Sequence, residues 1–154
     1  MIFMSIFNKI IPSKVTNFFL IIILPVLLFS CSKNDNNLPY IHVNFYILLQ
    51  DPEYSVLNTV GNHIIIHHQG VKGIIIYRKS IDEFTAFDIL CTYKPEDRCK
   101  AAIDSTNLFL SCPCCNSVFN LPSDGVVSSG PASLPLIQYR TVYDENLQKV
   151  NIRN

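Results

Sequence analysis

Tryptophan is absent from the 154 residues, glycine occurs only five times, and 16% of positions are charged. So little charge beside 49% hydrophobic residues excludes a disordered tail and a highly charged nucleic-acid binder. Twelve Lys and Arg balance twelve Asp and Glu, but Lys9 and Lys14 are the only charges in residues 1–30. Without that stretch, ten basic residues face twelve acidic ones, and no nucleic-acid partner is expected. Several catalytic signatures are missing too: no Ser–His–Asp or Cys–His constellation with interpretable spacing, no phosphate-cradling glycine loop, and no paired acids suited to hydrolysis. Catalysis by the domain itself is therefore not expected. The chain has no internal repeat, no low-complexity tract, and no segment with a 3.6-residue apolar period.

No apolar run is long enough to span a bilayer comfortably. Phe18-Phe-Leu-Ile-Ile-Ile-Leu-Pro-Val-Leu-Leu-Phe29 has twelve residues and is interrupted by Pro25, whereas a spanning helix needs about 20. A basic start, a short apolar core and a small residue at the boundary describe a secretory signal segment over residues 1–30. The boundary Leu28-Phe-Ser-Cys31 resembles the lipobox of bacterial lipoproteins. That resemblance implies diacylation of Cys31, and the polar, turn-rich residues 31–39 read as a flexible tether. The expectation is a protein anchored by lipid in the bacterial cell envelope, with residues 40–154 on the periplasmic or surface face. Such a compartment permits disulfides.

What remains reads as all-β. Residues 40–49 alternate, with Ile41, Val43, Phe45, Ile47 and Leu49 on one face. Two β-branched runs, His63-Ile-Ile-Ile-His67 and Gly73-Ile-Ile-Ile-Tyr-Arg78, flank a short hairpin connection. Residues 83–88 alternate again, and turns at 104–107 and at Asp124-Gly125 separate further short strands. Residues 137–143 and 147–152 predict a closing hairpin around 144–146. Many short strands with regular turn signals argue for a sandwich or barrel. His63, His67 and His68 read as solvated strand-end residues, although His63 and His67 share a strand face.

Six cysteines are the informative excess. With Cys31 assigned to lipid, Cys91, Cys99, Cys112, Cys114 and Cys115 remain, all within 25 residues. Five is odd, so disulfides alone leave one thiol over. Cys112 and Cys115 have the spacing of a metal-chelating loop.

The stretch Cys112-Pro-Cys-Cys-Asn-Ser-Val-Phe119, followed by Asp124-Gly-Val-Val, Gly130-Pro-Ala-Ser-Leu-Pro-Leu136 and Tyr139, resembles the second box of Rieske 2Fe–2S proteins. Cys91-Thr-Tyr93 stands where that family has Cys-Thr-His, and the similarity runs over roughly residues 55–152. The resemblance implies a Rieske-like iron–sulfur fold of small antiparallel sheets with a cluster-loop subdomain. It also implies a 2Fe–2S cluster and electron transfer to a partner protein whose identity is not legible.

The departures are specific. In the family, each first cysteine holds one iron and two histidines hold the other. Here the histidine positions are Tyr93 and Cys115. The second cysteines map to Cys99 and Cys114, which form a disulfide in the branch serving cytochrome complexes. Three site readings follow. One is a modified cluster held by Cys91, Cys112, Cys115 and Tyr93. Another is an empty site stapled by Cys99–Cys114, with Cys91–Cys112 as a second bridge, in a binding or structural lipoprotein. The third is zinc on thiolates.

Overall fold

The computed structural model describes residues 38–154; the expected signal segment, Cys31 and all but the last two residues of the expected tether lie outside the described residues. Among the described residues, ten strands form two sheets, and every pairing is antiparallel. In chain order they are β1 (Asn44–Leu48), β2 (His63–Ile66), β3 (Ile74–Arg78), β4 (Phe84–Asp88), β5 (Ala102–Ile103), β6 (Phe109–Ser111), β7 (Val118–Asn120), β8 (Val126–Ser129), β9 (Gln138–Asp144) and β10 (Lys149–Arg153). The larger sheet, a six-stranded half-barrel, runs β1-β10-β9-β4-β3-β2. The smaller runs β5-β6-β7-β8. The all-β expectation therefore holds, and the cysteines gather at the smaller sheet.

Local sequence accounts for the larger sheet. The Ile-Ile-Ile-Tyr-Arg run of β3 is buried at all five positions. Successive strand residues face opposite ways, and β3 lies between two cores. Ile74 and Ile76 enter one core with Val43, Ile47, Leu57, Phe84, Val150 and Ile152. Ile75 and Tyr77 enter the other with Phe87, Leu110, Phe119 and Leu121. A strand covered on both faces needs a near-continuous apolar run, which is what residues 74–77 supply.

Three local readings need correction. Ile41 was expected on the apolar face but is exposed, because β1 begins only at Asn44. Residues 52–58 form a 3-10 helix that no apolar period announces; Pro52 opens it, and Leu57 is its one buried residue. His63 is not a solvated strand end. It is half-buried, pairs with Tyr77 across the ladder, and its Nδ1 is buried without a partner. His67 lies in the turn beyond β2, with its Nδ1 3.4 Å from Lys100 Nζ.

Burial lowers the pKa of His63 below the ordinary imidazole value. The folded protein thus binds the His63 proton less readily than the unfolded chain. Its contribution to stability is complete above the unfolded pKa, near 6.5, and is lost as pH falls through the lower folded value. Urea midpoints at pH 7.5 and 5.5 should differ more in the parent protein than in His63→Gln. Equal differences would mean that His63 carries no proton linkage.

Candidate metal centre

Two loops carry the cysteines, and a third locks them together. The first leaves β4 at Asp88 and reaches Cys91 three residues later. Cys91 N–H donates to the Cys99 carbonyl at 2.9 Å, and Leu90 bridges to Lys100, so residues 91–99 form a closed excursion. Lys94 and Arg98 adopt left-handed backbone on either side of a 3-10 turn, Pro95–Asp97, which folds the excursion back on itself.

The second loop joins β6 to β7. Cys112 N–H donates to the Ser117 carbonyl at 2.8 Å, Asn116 N–H donates to the Cys112 carbonyl at 2.8 Å, and Asn116 takes a positive φ of 59°. Asparagine is one of the few side chains that adopt this region readily, and the turn packs three cysteines into four positions.

The third loop follows β8. Ser117 Oγ accepts from Ala132 N–H at 3.0 Å, and Thr92 Oγ1 donates to the Leu134 carbonyl at 2.7 Å. The Gly-Pro-Ala-Ser-Leu-Pro-Leu stretch thus ties both cysteine loops to one support.

Cys99 and Cys114 form a disulfide between the first two loops, with their Cα atoms 6.4 Å apart. Cys91, Cys112 and Cys115 are free thiols. Their sulfurs lie within 4.8 Å of one another, and Cys91 Sγ is 3.4 Å from Cys115 Sγ. Cys112 Sγ is also 3.6 Å from Cys99 Sγ. Cys99, Cys112 and Cys114 make a second sulfur group within the same limit. Since Cys99 and Cys114 are bonded to each other, the first triad offers the three free donors. Cys91 and Cys112 do not form the bridge considered for an empty, stapled site. Tyr93 is half-buried against the core beside the cysteines, its ring stacked under Lys94 Nζ at 5.6 Å.

The thiols differ electrostatically. Burial pushes Cys91 far above the ordinary thiol value, and donating its S–H towards Cys112 adds to this against the opposing Tyr93 N–H. Burial also pushes Cys115 upward, but the Ser117 hydroxyl and N–H, with Cys112 and Cys91, outweigh it and hold Cys115 below the ordinary value. The surroundings thus favour the thiolate form of Cys115, which lies at the partly exposed edge of the group.

Cys91 and Cys115 share a local influence: the backbone N–H of the residue two positions on, Tyr93 and Ser117, favours the thiolate form of each. Ser117 belongs to the Rieske-like motif, and its role at the site emerges only from the fold. The signal for it was the Cys-x-Ser spacing, which lets one residue offer a thiolate both N–H and O–H. Its oxygen lies 3.1 Å from Cys115 Sγ.

Gly130 is the tightest backbone approach at the site. Its φ is +95°, and a Cβ there would stand 2.4 Å from Ser117 Cα and 2.9 Å from Ser117 N and Asn116 O. All three atoms are backbone, which leaves no cheap relaxation. Gly130→Ala should cost about 2–3 kcal/mol and dislodge Ser117, so Cys115 should alkylate at a changed rate. A denaturation midpoint and iodoacetamide kinetics test this; parent values in both would show that the contact yields freely.

A cluster with two irons places its ligands at two ends, so the cysteine in the second histidine position should stand away from Cys91. The short Cys91–Cys115 separation instead suits donors converging on one ion. Both metal-competent groups among the described residues consist of cysteine alone. A scan against protein-family models finds no match for this chain, and a search of curated proteins finds none.

Proposed function

We propose that this chain is an extracytoplasmic, lipid-anchored protein of Rieske-like architecture that holds a metal centre at the cysteine end of its smaller sheet. One observation carries the reading: three free thiols from two separate loops converge within 4.8 Å, beside a disulfide that holds those loops together. The Rieske-like motif order supports the architecture, and the lipobox-like Leu28-Phe-Ser-Cys31 supports the anchor.

The centre has two forms to distinguish. As a modified 2Fe–2S cluster with Cys91, Cys112, Cys115 and Tyr93, it would make the protein an electron carrier for a partner in the envelope. As a thiolate-held single ion, it would make the protein a metal-binding lipoprotein. The motif resemblance favours the first and the sulfur spacing favours the second. A reading with no metal, a stapled binding or structural lipoprotein, draws on the Cys99–Cys114 disulfide, which ties the loops without an ion.

Full-length protein, extracted in detergent without air or reductant, should contain a stoichiometric metal. Iron, zinc, copper, acid-labile sulfide and free thiols are measured together. Metal-free protein with three alkylatable thiols would leave only the stapled reading.

A further inference from the structure

We infer that the centre is a single thiophilic d10 cation, Zn2+ or Cu+, bound by the thiolates of Cys91, Cys112 and Cys115 with one coordination position left for an exchangeable donor. This rests on the metal-centre reading above and specifies its ligand. Zinc–thiolate bonds of about 2.3 Å put two sulfurs on one tetrahedral ion roughly 3.8 Å apart. The Cys91–Cys115 separation of 3.4 Å and the 4.8 Å limit on the whole triad bracket that value. Small side-chain adjustments would bring all three sulfurs onto one ion.

The donor set selects the ion. Three thiolates are soft ligands, which favour zinc and cuprous copper over magnesium, calcium or manganese. Neither metal-competent group contains a histidine or a carboxylate. The surroundings suit a preformed site: Cys91 and Cys112 are buried, and the disulfide and the Gly130 loop hold both cysteine loops.

Access is one-sided. Pro113, Cys114 and Asn116 at the loop tip are exposed, and Cys115 between them is partly so. An incoming thiolate or imidazole can therefore reach the fourth position from the Cys115 side. Exchange there moves the ion from one donor set to another without any change in oxidation state. A three-ligand site with one open position is how zinc is held where its fourth ligand must turn over.

The full-length protein in detergent, kept free of air and reductant so that its disulfide survives, is stripped by chelation. It is then titrated in separate arms with Zn2+ and with Cu+ supplied as its bicinchoninate complex. One equivalent should bind in at least one arm, and the arm that binds more tightly names the ion. The bound protein should contain no acid-labile sulfide, and Cys91, Cys112 and Cys115 should resist iodoacetamide until the chelator is restored. Cys115→Ser should weaken binding by more than about 100-fold, since loss of an outer-sphere partner alone costs 10- to 100-fold. Its circular dichroism should match the parent's; if that variant fails to fold, the alkylation pattern of the parent still decides.

Iron with equimolar acid-labile sulfide in protein as isolated would overturn this inference and leave the metal-centre reading standing. Two equivalents bound, or parent affinity in Cys115→Ser, would likewise overturn it alone. No retained ion in either arm, with three reactive thiols or a Cys91–Cys115 disulfide, would overturn both.

Discussion

Replacing Cys99 and Cys114 together by serine is expected to lower the unfolding free energy by about 3 kcal/mol, the chain-entropy value for a loop of this length. The disulfide spans a sequence separation of 15. For a domain of ordinary marginal stability this is a large share of the total, and the melting temperature should drop by roughly 10 °C. The double substitution avoids leaving a lone thiol to recombine with Cys112, whose sulfur is 3.6 Å from that of Cys99. The effect should extend to the site, because the bridge ties the end of the first cysteine loop to the tip of the second. Metal affinity should weaken even though all three free thiols remain. Equilibrium urea unfolding of the parent and the double variant measures the first effect. A difference within about 0.5 kcal/mol, the range of neutral surface changes, would mean that the third loop alone holds the other two.

Asp88→Ala is expected to cost about 3–5 kcal/mol, because it leaves two buried and two partly buried neutral donors without their acceptor, at about 1–3 kcal/mol for each buried group. Asp88 is fully buried at the end of β4. Its carboxylate accepts from Val71 N–H, from Lys72 N–H at 3.1 Å, from Leu90 N–H at 2.9 Å and from the Tyr139 hydroxyl at 2.9 Å. Alanine strands all four donors: the contacts of Leu90 N–H and the Tyr139 hydroxyl are buried, while those of Val71 and Lys72 N–H are partly buried and recover some of the loss from water. Gly70 belongs to the same arrangement: at its φ of +73°, a Cβ would stand 2.5 Å from Asp88 Oδ2.

The bond to Leu90 N–H fixes the strand exit that leads into Cys91, so the carboxylate also positions the first cysteine loop. Tyr139 is the control. Burial, then the Asp88 charge, hold its phenol above the ordinary range, so it stays a neutral donor. Tyr139→Phe removes one hydrogen bond and should cost about 1 kcal/mol. If urea unfolding finds Asp88→Ala no costlier than Tyr139→Phe, the three backbone amides draw no net stability from the carboxylate.

Neither residue's role was legible in advance. Asp88 closes an alternating run and looks like any polar strand end, and Tyr139 stands in the sequence only as the last residue of the Rieske-like stretch. Their partnership joins positions 51 residues apart. Such a contact leaves no mark in spacing, because it depends on β4 lying beside β9 in the finished sheet.

The sequence by itself determined the elements whose causes are local. Alternation and β-branching specify strands within a few residues, and Asp124-Gly125 specifies the β7–β8 turn, because both act through neighbouring backbone geometry. Burial on both faces of β3 is likewise implicit in its isoleucine run. The cysteine spacing pointed to the residues that gather at the smaller sheet, and Cys112-x-x-Cys115 has the spacing of a chelating loop.

Tertiary structure alone decided how those residues meet. Cys91 and Cys115 are 24 positions apart and belong to different loops, yet their sulfurs stand 3.4 Å from each other. That closeness comes from β4 and β6 feeding a common core, and from residues 130–136 bonding to both loops. The same packing half-buried His63, left Ile41 exposed, and set Ser117 and Gly130 against the cysteine turn. Burial and long-range approach are properties of how sheets stack. A linear pattern constrains which face of a strand is apolar, but the partner that covers that face is selected only when the whole core closes.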